Sequence, residues 1–257
     1  MTATPIPAKA LRIRVGVGGW TFAPWRDNFF PKGLSQNKEL AYASRHLTAI
    51  EVNGTYYRTF RPAVFAAWRD ETPDDFVFSL KATRFATNRK QLATAGESIE
   101  RFVGSGIAEL GAKLGPLVWQ FMPTKRFEPE DFEAFLALLP PRLDGRPLRH
   151  VLDVRHESFL SPQYLALARR YACTTVHTDA PQFPAIADAQ SQLAYVRLMR
   201  SDAGCTSGYE PDRLDAWARG ARAWIERSAQ HEVFVYFING AKERAPAAAL
   251  ELIRRVS

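Results

Sequence analysis

A parallel (β/α)8 barrel, a TIM-type fold, is the class this sequence predicts, and three observations predict it. About eight short apolar runs, several rich in β-branched and aromatic residues, alternate with longer stretches of helical character along 257 residues. Several of those longer stretches open on proline, which suits a first helical position because its missing N–H is an orphan donor there anyway. The first run leads into GVGGWTFAPW, whose proline and bulky aromatics do not fit the phosphate-cradling glycine turn of an open doubly wound sheet.

Taken in order, the strand candidates are Arg12–Gly18, Ala49–Asn53, Phe76–Leu80, Pro116–Phe121, Arg149–Val154, Cys173–His177, Leu193–Leu198 and Glu232–Phe237. Most are too short for helices, and their composition suits a pleated surface. Helix openings fall at Pro62, Pro129, Pro162, Pro211 and Pro246, with Ser161 as an N-cap and Glu128, Glu130 and Asp131 placing negative charge at a positive helix end. The proline-rich stretch Pro140-Pro141 to Pro147 reads as a loop. No linker divides the chain, so a single domain over 1–257, with its core at about 12–256, is expected.

Composition narrows the class without naming a function. The opening residues hold no apolar run long enough for a signal peptide, and nothing approaches the roughly 20 apolar residues of a membrane span. The sequence therefore reads as a soluble cytoplasmic protein with no membrane partner. Cys173 and Cys205 form no metal or disulfide pattern and read as reduced thiols. A formal charge of +7 and a pI near 9.6 point to anionic partners.

Catalytic groups of such barrels sit at the C-terminal strand ends, and polar residues gather at most of those ends here. They are Glu51 and Asn53, Ser79 and Lys81, Gln120, Asp153 and Arg155, His177 and Asp179, Arg197, and Asn239. Where two fall in one segment they share a parity and point the same way. Solvated strand ends explain polar residues in any soluble protein, but charges of both signs inside apolar runs call for pairing. Asp153 with Arg155, and Glu51 with Lys81 or Arg197, are the expected pairs.

The stretches GGWTFAPW, TAIEVNGTYYR, FSLKATRFAT, LGPLVWQFMP, DVRHESF, HTDAP, YVRL and VYFINGAKERAP, in this order, resemble the YecE-like TIM-barrel family, domain of unknown function 72. The resemblance covers nearly the whole chain and implies one barrel with a shared pocket, but no established reaction. It falls on Gly19, Trp20, Glu51, Asn53, Tyr56, Tyr57, Arg58, Lys81, Arg84, Gln120, Pro123, Arg155, His156, Asp179, Pro181, Arg197 and Asn239. The chain departs from it at Asn88, where the family usually carries histidine, at Met199-Arg200 in place of His-Gly, and at Gly240 in place of aspartate. An asparagine usual near Ala248 is also absent.

The expected chemistry is an enzyme acting on an anionic small molecule, a phosphate or a carboxylate. Glu51, Lys81 and Asp153 are the catalytic candidates. Trp20, Asn53, Tyr57, Arg84, Gln120, Arg155, His156, Asp179, Arg197 and Asn239 are the substrate-binding candidates. Small residues at Gly204, Ser207, Gly208 and Gly240, followed by the helix near Pro246, suggest a phosphate loop. His177-Thr178-Asp179 alone does not make a metal site, and no cofactor can be named. Two alternatives stay open: a non-catalytic ligand-binding or regulatory barrel, and nucleic-acid binding with or without cleavage. The second rests on Lys81, Arg84, Arg89 and Lys90 in a stretch from Phe76 to Gly96 without an acidic residue, with Phe85 among them, and on Trp20, Phe22, Trp25, Tyr56 and Tyr57 as further stacking surfaces.

Overall fold

The computed structural model describes residues 12–26 and 28–257. The expectation about a signal peptide concerns residues 1–11, which lie outside them. Among the described residues there are ten strands: β1 Ile13–Gly18, β2 Ala49–Val52, β3 Val77–Lys81, β4 Leu114–Gln120, β5 Arg142–Leu143, β6 Arg146–Pro147, β7 His150–Asp153, β8 Thr174–Thr178, β9 Leu193–Leu198 and β10 Glu232–Phe237. Eight of them close into a parallel barrel in the order β1-β10-β9-β8-β7-β4-β3-β2. The predicted runs match these eight to within two residues at each end. The stretch expected as a plain loop before β7 holds a small antiparallel ribbon instead, β5 against β6 around Asp144-Gly145. Two residues a side is too little to show as alternation in a sequence.

The proline-marked helices form as the sequence predicts: Pro62–Glu71, Pro129–Ala137, Pro162–Arg170 and Pro211–Glu226, with Pro246 second in Ala245–Val256. Ser161 caps its helix by accepting from the Tyr164 amide at 3.3 Å. Asp131 does more than complement a helix end. Its two oxygens accept the amides of Leu92 and Ala93 at 2.9 Å each, and Lys125 Nζ lies 3.1 Å away. One carboxylate thus pins the loop before helix Gly96–Val103. Among the described residues no helix is long and apolar enough to cross a membrane.

The chain divides into two compact units. One comprises the residues up to Glu51 with Asp70–Val77 and Gln192–Ser257; the other comprises Val52–Arg69 with Phe78–Ser191. In the first, Trp25 is fully buried against Phe22, Phe29 and Phe30, and its indole N–H donates to the Lys242 carbonyl at 2.8 Å. Gly16 of β1 lies so close to β2 that a Cβ there would fall 1.8 Å from the Ala49 carbonyl oxygen. No other residue fits at that position.

In the second unit, Phe121, Phe132, Phe159 and Tyr164 form one aromatic cluster, with the Tyr164 hydroxyl 2.7 Å from Thr175 Oγ1. Trp119 packs on Phe102 and Phe135, from helices Gly96–Val103 and Pro129–Ala137, so its side of β4 faces the helices. By alternation Val118 and Gln120 face the barrel interior.

Trp119 also donates its indole N–H to His150 Nδ1 at 3.0 Å, and His150 Nε2 lies 2.8 Å from the Pro140 carbonyl. Those partners require a neutral imidazole with its proton on Nε2. Burial depresses the His150 pKa, and the Pro140 carbonyl only partly offsets this. Because the unfolded chain binds a proton that the native state resists, His150 contributes stability at neutral pH. That contribution falls away as the pH drops below the unfolded value of about 6.5 towards the lower folded one. Urea unfolding at a series of pH values between 5 and 7.5 should show this loss, and His150→Gln should flatten the slope.

Candidate functional site

Sequence spacing alone puts Glu51 and Arg197 146 positions apart. The fold brings them together within the first unit. Gly18 stands in register with Glu51, Gly16 with Tyr236, Tyr236 with Arg197 and Phe234 with Tyr195. These residues therefore share one face of the sheet, where Tyr195, Phe234 and Tyr236 pack ring on ring. Two strands, β1 and β10, separate β2 from β9 along the wall. At about 4.8 Å per strand spacing that path is too long for any hydrogen bond, so a contact between β2 and β9 has to run through the inside of the curve.

Arg197 Nη2 donates to Glu51 Oε1 at 3.0 Å, and the Tyr195 hydroxyl donates to Oε2 at 2.9 Å. Both charged side chains are essentially without solvent exposure. Each carboxylate oxygen has a strong donor, which such complete burial demands. Of the two partners foreseen for Glu51, Arg197 is the one that forms this bridge. The Glu51 carbonyl also accepts the Gly19 amide at 2.9 Å, holding the turn that leads to the half-buried Trp20.

A second charged group occupies the C-terminal strand ends of the second unit. Lys81 stands in register with Val118, and Gln120 with Asp153, so Lys81, Gln120 and Asp153 share the interior face. Arg155, two residues beyond Asp153, donates Nε and Nη2 to Asp153 Oδ2 at 3.2 and 2.9 Å, and Nη2 also reaches Gln120 Oε1 at 2.9 Å. This is the predicted Asp153–Arg155 pair. The Phe183 ring covers the guanidinium, 4.6 Å from centroid to Cζ. Nη1 has no partner among the described residues, so one edge of the guanidinium remains open. Lys81 Nζ sits 4.2 Å above the Tyr56 ring, and the Thr55 hydroxyl donates to the Lys81 carbonyl at 2.7 Å.

The other candidates are more peripheral. Asn53 precedes the short helix Gly54–Tyr57, and its carbonyl accepts the Tyr56 amide. His156 Nδ1 is held by Ser158, through the amide at 3.1 Å and the hydroxyl at 2.9 Å, so this ring caps a turn. Asp179 is half-buried just after β8, and Asn239 is exposed after β10. Tyr57 and Arg84 are exposed. The loops proposed for phosphate spend their amides on themselves: Asp202 donates to the Gly208 carbonyl, Gly208 to Cys205, Gly204 to Asp202 Oδ1 and Ala241 to the Ser201 carbonyl. Those four donors are not available to an anion.

Two departures from the family pattern acquire a physical setting. Asn88 Oδ1 accepts the Tyr56 hydroxyl at 3.4 Å, extending the Lys81–Tyr56 contact. Gly240 has φ +84°, and a Cβ there would lie 2.5 Å from the Ser201 carbonyl oxygen, so no side chain fits at this position.

Three participants escaped the sequence reading. Tyr195 was legible, since it precedes Arg197 by two residues on one strand and must share its face. Tyr56 figured only in the family pattern and among the stacking aromatics, not as a partner of Lys81. Phe183 lies in an irregular segment, where no periodicity signals that it covers Arg155. Among the described residues no group of three histidine, cysteine, aspartate or glutamate side chains is arranged to hold a metal ion.

Removing one member of the first cluster strands the others in a dry interior. Glu51→Gln should cost about 3–5 kcal/mol by leaving Arg197 buried without its counter-charge. Tyr195→Phe should cost about 1.5–3 kcal/mol, the range for a hydrogen bond to a charged group. In denaturant unfolding the double variant should lose less than the sum; strictly additive losses would mean the groups act independently.

The family described as "Protein of unknown function DUF72" matches residues 14–257. The UPF0759 protein YecE of Escherichia coli K12 is 26% identical over 152 residues, 58% of this chain and 50% of YecE. The UPF0759 protein YunF of Bacillus subtilis is 24% identical over 157 residues, 59% of this chain and 54% of YunF. The chain thus spans about half the length of the curated relatives it matches. Among solved structures, a DUF72 family protein of Thermotoga maritima superposes with a TM-score of 0.71 at 20% identity, covering 94% of this chain and 97% of its own. One from Enterococcus faecalis gives 0.72 at 16%, covering 95% of each chain. SacUVDE gives 0.56 at 8% over 94% of this chain and 97% of its own, a likeness of fold alone. With the family match running over nearly its whole length, this chain belongs to the DUF72 family.

Proposed function

We propose that this protein, acting as a single domain, binds an anionic small molecule, a phosphate or a carboxylate, at the C-terminal strand ends of its second unit, and that it is an enzyme. The observation that carries the reading is the state of Arg155. Asp153, Gln120 and Phe183 fix its plane, while Nη1 stays uncommitted. A guanidinium held along one edge and open along the other is prepared to accept an oxyanion with little ordering cost. Lys81 adds a second positive charge on the same interior face of neighbouring strands.

Asp153 is the acid/base candidate of this reading, with Lys81 on the same face beyond the intervening strand β4. Glu51 has a different part. Both its oxygens are occupied and it has no exposed surface, so it positions Arg197 and leaves proton transfer to others. A reducing cytoplasmic setting fits the free thiols Cys173 and Cys205.

Thermal unfolding in rising phosphate, sulfate or small dicarboxylate tests the binding step. A ligand at a hundred times its Kd stabilises the native state by about 2.7 kcal/mol, so the wild type should show a clear rise in Tm. Arg155→Lys keeps the charge but loses the fork, and should shrink the ligand-induced rise whatever it does to the starting Tm. Equal rises in both proteins, or none in either, would overturn the assignment. For the catalytic part, turnover of a phosphorylated or carboxylated compound that disappears in Asp153→Asn while binding persists marks an enzyme. Binding without turnover by the wild type marks a ligand-binding barrel.

A further inference from the structure

Within the second unit, residues 52–69 and 78–96 contain seven arginines and lysines and no aspartate or glutamate. Large apolar side chains are mostly buried in this protein, yet Tyr57 is 58% exposed and Phe85 57% exposed in these stretches. Arg84 links them: its Cζ lies 5.7 Å from the Tyr57 ring centroid and 5.5 Å from that of Phe85. Its guanidinium donates to nothing among the described residues. Arg58, over the Phe60 ring at 4.7 Å, is likewise without an acceptor.

Two aromatic rings standing in water with a cation beside both are costly to leave uncovered, and the surroundings show them to be held rather than loose. Tyr57 meets the buried Tyr56 edge-on, with centroids 5.0 Å apart at 89°. Phe85 is fixed through its carbonyl, which accepts Arg89 Nε at 2.6 Å, and Arg89 is itself anchored on Ser98 Oγ at 2.7 Å and the Thr94 carbonyl at 3.0 Å. A cavity of about 310 Å³ adjoins Phe85 and is also lined by Thr59, Thr83, Arg89 and the Arg101–Glu97 ion pair, closed at 2.9 Å.

We infer that Tyr57, Arg84 and Phe85 form a stacking platform for single-stranded nucleic acid. Bases stack on the two rings, Arg84 meets the sugar–phosphate chain, and Arg58 and Lys90 extend the positive track. A partner protein offering an acidic helix satisfies the cations but leaves the flat ring faces without flat partners. Duplex DNA keeps its bases inside the stack. Exposed bases on a polyanion match both features, and the inference stands independently of the small-molecule site at Arg155.

Fluorescence anisotropy of the full chain with labelled oligo(dT) and oligo(U) of about twelve nucleotides, a length within the range of known stacking grooves, tests it. Binding should weaken between about 50 and 200 mM salt. Tyr57→Ala and Phe85→Ala should each weaken it about tenfold at constant salt dependence. Arg84→Ala should weaken it and lower the salt slope by about one. Because these side chains are exposed, unchanged Tm values should accompany the losses, and Lys32→Ala in the other unit should leave affinity intact. No binding at the lower salt overturns the inference. So does binding that the ring variants leave untouched, or a duplex of the same length bound as tightly, since either would reduce the surface to bulk positive charge.

Discussion

The buried bridge from Glu51 to Arg197 constrains more of this protein than any other single interaction. Two charges carried fully out of water are tolerated only when their mutual attraction and added hydrogen bonds offset a desolvation cost of several kcal/mol per ion. That condition fixes geometry. Strands β2 and β9 must face one another across the inside of the curve, β1 and β10 must lie between them in one register, and Tyr195 must bring its hydroxyl to the second carboxylate oxygen. Gly16, which admits no Cβ against β2, belongs to the same arrangement. A slip of one residue in any of these strands would turn its members to the helix side.

Arg155 is the instructive contrast. It has the same chemistry as Arg197 and a similar place at a strand end, but 14% of its side chain remains accessible, against 1% for Arg197. Arg197, shut away from solvent with its charge met by Glu51, holds structure together. Arg155 is oriented by Asp153, Gln120 and Phe183 and keeps one edge accessible. Residue type and strand position do not separate these cases; solvent access does. The same distinction sorts the aromatics, since Trp25 and Tyr56 fill the interior while Tyr57 and Phe85 stand outside it.

The family's pattern persists in this chain at modest identity, and its departures change the chemistry in specific ways. Asparagine at position 88 keeps a polar contact to Tyr56 but removes an imidazole that would titrate near neutral pH. Glycine at 240 permits a left-handed backbone pressed onto Ser201, a conformation a carboxylate-bearing residue would occupy only under strain.

The sequence by itself determined the barrel. Periodic apolar runs, proline-marked helix starts and parity at strand ends are local properties, set by backbone geometry that needs no distant partner, and they predict all eight barrel strands. Parity also announced that Asp153 and Arg155 point the same way, and a buried-looking Glu51 announced that a cation must meet it. Only tertiary structure decided which cation, because 146 residues separate the pair and the choice depends on which strands face each other after closure. It also decided that Phe183 covers Arg155 and that Tyr57 and Phe85 stay in water. Burial and free donor capacity are properties of the assembled surface, and no window of sequence contains them.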